Sequence, residues 1–116
     1  MVVIYEFEDY KIYVKNVISE MPKKGRGQYK LLGEYLNVGS VVISQIFNSD
    51  KDLSNEQAFL TAEFLGLNEL EREYFLILVR YSRASHFKLK DYHLAQILEL
   101  KKKAQELSTR MKKIMF

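Results

Sequence analysis

The chain has 116 residues, enough for one domain whose core needs no covalent staples, and it contains no cysteine, which excludes a disulfide framework and thiolate metal ligation. The 18 Lys and Arg against 15 Asp and Glu leave a net charge of +3, too small by itself to argue for a polyanionic partner. No stretch has the length of a membrane span, and Met1-Val2-Val3-Ile4-Tyr5 runs into Glu6, Glu8 and Asp9 too soon for a signal-peptide core, so the expected setting is a reducing cytoplasm without membrane association.

In chain order, apolar residues from Phe7 through Tyr10, Ile12, Tyr13, Val14, Val17 and Ile18 to Met21 recur at three- and four-residue steps and predict a helix from about Glu8 to Glu20, ended by Pro22. Pro22 to Gly27 holds the only proline, two of five glycines and three cations with nothing apolar to bury, and is expected to be a mobile loop. Leu31, Leu32, Tyr35 and Leu36 form a short helical stripe ended by Asn37, a residue that tolerates a left-handed turn. Gly39 or Ser40 then caps a second short helix buried through Ile43, Ile46 and Phe47.

Asn48 to Asp52 reads as a surface loop, followed by Ser54 and Gln57 at capping-box spacing. The next helix, with apolar residues Ala58, Phe59, Ala62, Phe64 and Leu65, stops at Gly66. Asn68 caps another in which Leu76, Ile77, Leu78 and Val79 leave little polar face, a pattern that belongs in the middle of the domain. From about Lys88 to Lys113, His93, Ile97, Leu100, Ala104, Leu107, Met111 and Ile114 make a heptad seam. The seam has two readings: a dimer interface, which is slightly favoured, or a strip packed on the helix holding Tyr74 and Ile77. The chain therefore reads as all-α with six helices.

Charge is unevenly spread. Lys23, Lys24, Arg26 and Lys30 occur with no acid among them, and residues 101–113 carry six cations against Glu106 alone, whereas Asp50 to Glu73 hold seven acids against Lys51 and Arg72. A phosphate-facing surface should avoid that middle region. In the two short helices, Gly33 leaves room for a close crossing, Val38 fills the space under the turn, and Ile43 and Ile46 anchor the second helix from below. Ser40, Val41, Ser44 and Gln45 then point outward, where such a helix would enter a major groove. Lys23, Lys24, Arg26, Lys30 and Lys51 are the expected phosphate contacts, with Asp50 and Asp52 partly cancelling Lys51.

Val38-Gly39-Ser40 and Gln45-Ile46-Phe47-Asn48 resemble the phage-repressor and Cro-like helix-turn-helix family over roughly residues 28–66. That resemblance implies a five-helix repressor-like bundle in residues 1–85, extended by a long sixth helix in residues 86–116 that would serve dimerisation. It also implies base contacts at Ser40, Val41 and Ser44, and phosphate contacts at or near Gln28, Tyr29 and Asn48. Phe7-Glu8-Asp9-Tyr10, the run from Leu65 to Phe75, and Leu78-Val79-Arg80-Tyr81 resemble more closely the N-terminal region of a family of uncharacterised predicted bacterial transcriptional regulators. Members of that family usually carry a further C-terminal domain.

The presumed reading helix carries no Arg or Lys, the residues that most often read guanine, so Ser40, Ser44 and Gln45 with Val41 against a thymine methyl predict a weak, A·T-leaning reader. Enzymatic chemistry has little support: His86 and His93 are the only histidines, no cysteine can join them, and no glycine-rich phosphate loop or nucleophile–base pair can be named. The aromatics fall on apolar stripes and read as core. The expectation is a homodimeric double-stranded DNA-binding regulator without cofactor or metal. The alternative is a protein-interaction module of the same fold, whose Val41-Val42 pair meets a protein partner.

Overall fold

A computed structural model describes residues 1–115, the side chains of residues 114 and 115 excepted. The described residues form six α-helices: α1 (Tyr10–Ser19), α2 (Gln28–Leu36), α3 (Ser40–Asn48), α4 (Asn55–Phe64), α5 (Glu69–Arg83) and α6 (Phe87–Met115), with short 3-10 turns at Ile4–Glu6 and Pro22–Gly25. No strand occurs among the described residues, and none of their helices is long and apolar enough to cross a membrane.

Helix starts follow from side chains that satisfy the free N–H groups of the first turn. Asp9 accepts from the backbone N–H of Lys11 and Ile12 at α1, while Ser54 with Gln57 and Asn68 with Glu71 form reciprocal capping boxes at α4 and α5. Helix α4 ends where Gly66 turns left-handed (φ 72°) and the Leu67 N–H reaches back to Ala62 O at 3.1 Å, a Schellman closure.

Helix α5 lies at the centre, touching α1, α4, α6 and the first 3-10 turn. Its Tyr74, Phe75, Ile77, Leu78 and Val79 are buried, and Tyr10, Val14, Ile18, Leu32, Ile46 and Leu53 join them in one core. Ile97 and Leu100 from the proximal half of α6 belong to that core too. The 29-residue α6 is about 43 Å long at 1.5 Å per residue and accounts for most of the 47 Å longest dimension. Its distal half explains why the radius of gyration, 15.1 Å, exceeds the roughly 13.4 Å of a compact chain of this length.

The structure corrects several sequence expectations. The Pro22–Gly27 segment is a tight turn rather than an open loop, with Lys23, Lys24, Gly25 and Gly27 all at positive φ. Gly25 is buried against Ile18, and a Cβ there would lie 2.2 Å from the Ile18 carbonyl oxygen. In α4, Thr61 rather than Phe59 faces inward, and the Arg72 guanidinium lies over the exposed Phe59 ring. Phe87 and Tyr92 are exposed as well, so the aromatic residues do not all belong to the core.

Candidate nucleic-acid interface

Helices α2 and α3 have nine residues each, too few to persist in isolation, and are held by their junction and their buried faces. Asn37 takes up the left-handed conformation (φ 57°, ψ 45°), its N–H donates to Glu34 O at 3.1 Å, and the Val38 N–H donates to Gly33 O at 2.9 Å. Residues 37–39 thus reverse the chain within one turn. A Cβ on Gly33 would stand 3.2 Å from Ile43 Cγ1 and from the Val38 carbonyl oxygen, so the helices approach closely where the side chain is smallest. Val38 packs half-buried against the core.

Ile43, Ile46 and Phe47 anchor α3 from below, and the Phe47 ring meets Tyr29 of α2 at 5.9 Å between centroids. Each buried anchor of this kind contributes roughly 1.5–3 kcal/mol. No ion pair among the described residues involves α3, so apolar burial sets its orientation. On the opposite side Ser40, Val41, Ser44 and Gln45 are all exposed, Val41 to 67%. Val42 is half-buried, which dissolves the expected exposed valine pair.

A groove of about 520 Å³ runs along α3, lined by Lys15 of α1, Tyr29 and Lys30 of α2, and Ser40, Ile43, Ser44, Phe47 and Asn48 of α3. Its floor is apolar and its rim carries two ammonium groups and a row of hydroxyl and amide groups at four-residue steps, with Asn48 Nδ2 3.4 Å from Ser44 Oγ. Burial raises the Tyr29 phenol above its ordinary value, so it remains a neutral donor near pH 7. A smaller hollow of about 260 Å³ at the turn shares Tyr29, Lys30 and Ser40 and adds Glu34, whose carboxylate opposes part of the lysine charge.

The N-termini of α2 and α3 differ from those of α1, α4 and α5. Gly27 and Gly39 stand at their N-cap positions and supply no side-chain acceptor, so first-turn N–H groups stay available beside the lysine rim. Such groups, with the positive end of the helix dipole, favour an anion.

Of the expected phosphate contacts, Lys30, Tyr29 and Asn48 line the main groove, while Gln28 occupies the first position of α2, half-buried. Lys23, Lys24 and Arg26 are exposed on the tight turn before α2 and do not line the groove. Lys51 is exposed beyond α3. Asp50 accepts from Ser49 Oγ at 2.8 Å, a bond that holds its carboxyl below the usual range and keeps it charged next to Lys51. Asp52 does not oppose Lys51 as expected, because it is turned inward to the Tyr10 and Ser82 hydroxyls.

Sequence reading missed Lys15. It follows Lys11 by one helical turn on the polar side of α1, a signal that points to the groove only once α1 is known to flank α3. Lys11 itself is committed to the loop after α3, donating to Ser49 O and Lys51 O at 2.8 Å each.

The heptad seam divides. His93, Ile97 and Leu100 are buried against α5 of the same chain and cannot meet a partner, which corrects their place in a dimer interface. Ala104 is half-buried, Leu107 and Met111 are exposed, and the Ile114 side chain lies outside the described residues. His93 Nδ1 pairs with Gln96 Oε1 at 2.9 Å, whereas His86 is exposed and stacked on Phe87, so the two histidines do not converge. Among the described residues no group of three His, Cys, Asp or Glu is placed to hold a metal ion.

No protein-family model, curated protein or solved structure matches this chain.

Proposed function

We propose that this chain is a sequence-preferring double-stranded DNA-binding protein, a transcriptional regulator of the bacterial cytoplasm, in which α2 and α3 act as a repressor-type helix-turn-helix. The observation that carries this reading is the polar ridge Ser40–Ser44–Gln45, held outward by the buried Ile43, Ile46 and Phe47 and bordered by Lys15 and Lys30. With α3 in the major groove, Gln45 pairs with an adenine edge, Ser40 and Ser44 accept or donate single bonds, and Val41 packs on a thymine methyl. Affinity comes chiefly from phosphates held by Lys15, Lys30 and the open N-terminus of α2, with Lys23, Lys24, Arg26 and Lys51 beyond. The role is binding, without catalysis or cofactor. A protein partner on the same face would find one exposed valine, since Val42 is half-buried, beside the apolar floor of the groove, while the two lysines on its rim favour the nucleic-acid reading.

Duplex binding measured over a series of salt concentrations tests the proposal. The affinity is expected to fall linearly on logarithmic axes, Lys15→Ala and Lys30→Ala each to reduce the slope by about one, and Ser44→Ala with Gln45→Ala to leave the slope intact while flattening sequence preference. Binding indifferent to salt, or no binding to any member of a random duplex pool, would end this reading.

A further inference from the structure

The distal half of α6 carries an apolar strip that the domain does not cover. Leu107 is 44% and Met111 62% exposed, and with Ala104 and Ser108 they form one wall of a groove of about 580 Å³. Tyr5 and Leu70, both half-buried, and Asn68 and Glu69 at the start of α5 contribute the other wall, with Lys112 on the rim. Single exposed apolar residues are ordinary, but Leu107 and Met111, one helical turn apart and continuous with the half-buried Tyr5 and Leu70 across the groove, make an unpartnered face.

Charge identifies what covers it. Residues 101–113 carry Lys101, Lys102, Lys103, Arg110, Lys112 and Lys113 against Glu106 alone, while Glu69 lines the other wall and Glu71 and Glu73 lie near its Tyr5. A helical period of 3.6 residues puts Lys101 and Lys112 on one flank of the Leu107–Met111 strip and Lys103 and Arg110 on the other. On the first flank Lys101 Nζ lies 3.5 Å from Glu8 Oε1. On the second, Lys103 shares a hollow with Glu73 and Glu99 of its own chain, whereas Arg110 is exposed and makes no ion pair among the described residues.

We propose that the occupant is a second copy of this chain, joined through a two-fold contact in which the distal α6 of each copy lies in the groove of the other. Leu107 and Met111 of the two copies meet at the centre. Arg110 of each copy faces Glu69 of the other, and because the contact is two-fold that pairing occurs twice. Two distal α6 segments paired only with each other would bring cation against cation in either direction, so the acidic α5 wall is a necessary part of the interface. The interface is independent of the DNA-binding reading and differs from the full heptad seam, whose proximal half is consumed inside the monomer.

Sedimentation equilibrium on the intact chain, without DNA, tests it. The wild type is expected to form a dimer that weakens as salt is added. Leu107→Glu with Met111→Glu is expected to raise the dissociation constant about 100-fold or more while leaving the helical circular dichroism unchanged, since both side chains are already exposed. Glu69→Lys and Arg110→Glu are each expected to dimerise more weakly than wild type alone and to form a heterodimer on mixing, because exchange restores both opposite-charge pairings. A monomeric wild type, a dimer indifferent to the Leu107 and Met111 changes, or a mixture no more associated than its components would overturn the proposal.

Discussion

The Tyr10 hydroxyl donates to the Asp52 carboxylate over 2.8 Å and at the same time accepts the Leu53 N–H at 3.1 Å, tying the first turn of α1 to the segment that leads out of α3. Ser82 of α5 donates to the same carboxylate oxygen at 2.9 Å, and Lys11 Nζ stands 3.8 Å from it, so two helices, α1 and α5, converge on Asp52. Tyr10 is fully buried. Loss of its hydroxyl leaves a charged acceptor short of a donor and a buried N–H without an acceptor.

Tyr10→Phe is therefore expected to destabilise the fold by about 1.5–3 kcal/mol, and Ser82→Ala, at an exposed position, by less. Urea denaturation measures both. A Tyr10→Phe midpoint equal to wild type would mean that the network around Asp52 does not hold α1 in place.

Gly25 and Gly27 share a left-handed backbone, at φ 78° and 84°, but differ in their surroundings: a Cβ at Gly25 would strike Ile18, while one at Gly27 would meet nothing within 4 Å. Gly27→Ala is expected to cost about 1–2 kcal/mol from backbone conformation alone. Gly25→Ala should cost clearly more, because the carbonyl and side chain of Ile18 must also move. Thermal unfolding of the pair separates the two contributions, and equal losses would contradict the packing of this turn against α1.

The alkaline limit of stability should be set by buried tyrosines. Burial, reinforced by Glu71 and Glu73 at Tyr5 and by Glu71 and Tyr5 at Tyr13, pushes both phenols up to about 12 from 10.0. Burial also raises Tyr10 and Tyr74, whose hydroxyl donates to Phe7 O at 2.7 Å. A phenol whose folded-state value is raised keeps its proton where the unfolded chain has lost it. Its contribution is thus complete below about pH 10 and is lost as the pH rises through about 12. Ultraviolet difference titration should show the tyrosinates of the buried phenols appearing above pH 10, together with loss of helical signal. Titration of all eight tyrosines in one step near pH 10, with the fold intact, would contradict this burial.

Much of this architecture is legible in residue order because its determinants are local. Asn37, Ser54 with Gln57, Gly66 and Asn68 mark helix ends through chemistry confined to a few neighbouring residues, and Gly33, Val38, Ile43 and Ile46 announce the close junction of α2 and α3. What escapes depends on which elements become neighbours. Lys15 joins the α3 groove only because α1 packs alongside it, and Asp52 leaves the surface only because Tyr10, 42 residues earlier, reaches it. The heptad in α6 is periodic along its whole length, yet α5 is long enough to cover only its proximal half, so periodicity alone could not tell a core strip from an interface.

Two basic surfaces are open to the proposed duplex: the α3 groove with Lys15 and Lys30, and the distal α6. Backbone amide chemical shifts recorded during titration with a duplex selected from a random pool distinguish them directly. The largest changes are expected at Ser40 to Asn48, at Lys15, and at Gln28 to Lys30, with residues 101–113 little affected. Shifts concentrated on distal α6, with the Ser40–Gln45 ridge unmoved, would contradict the account.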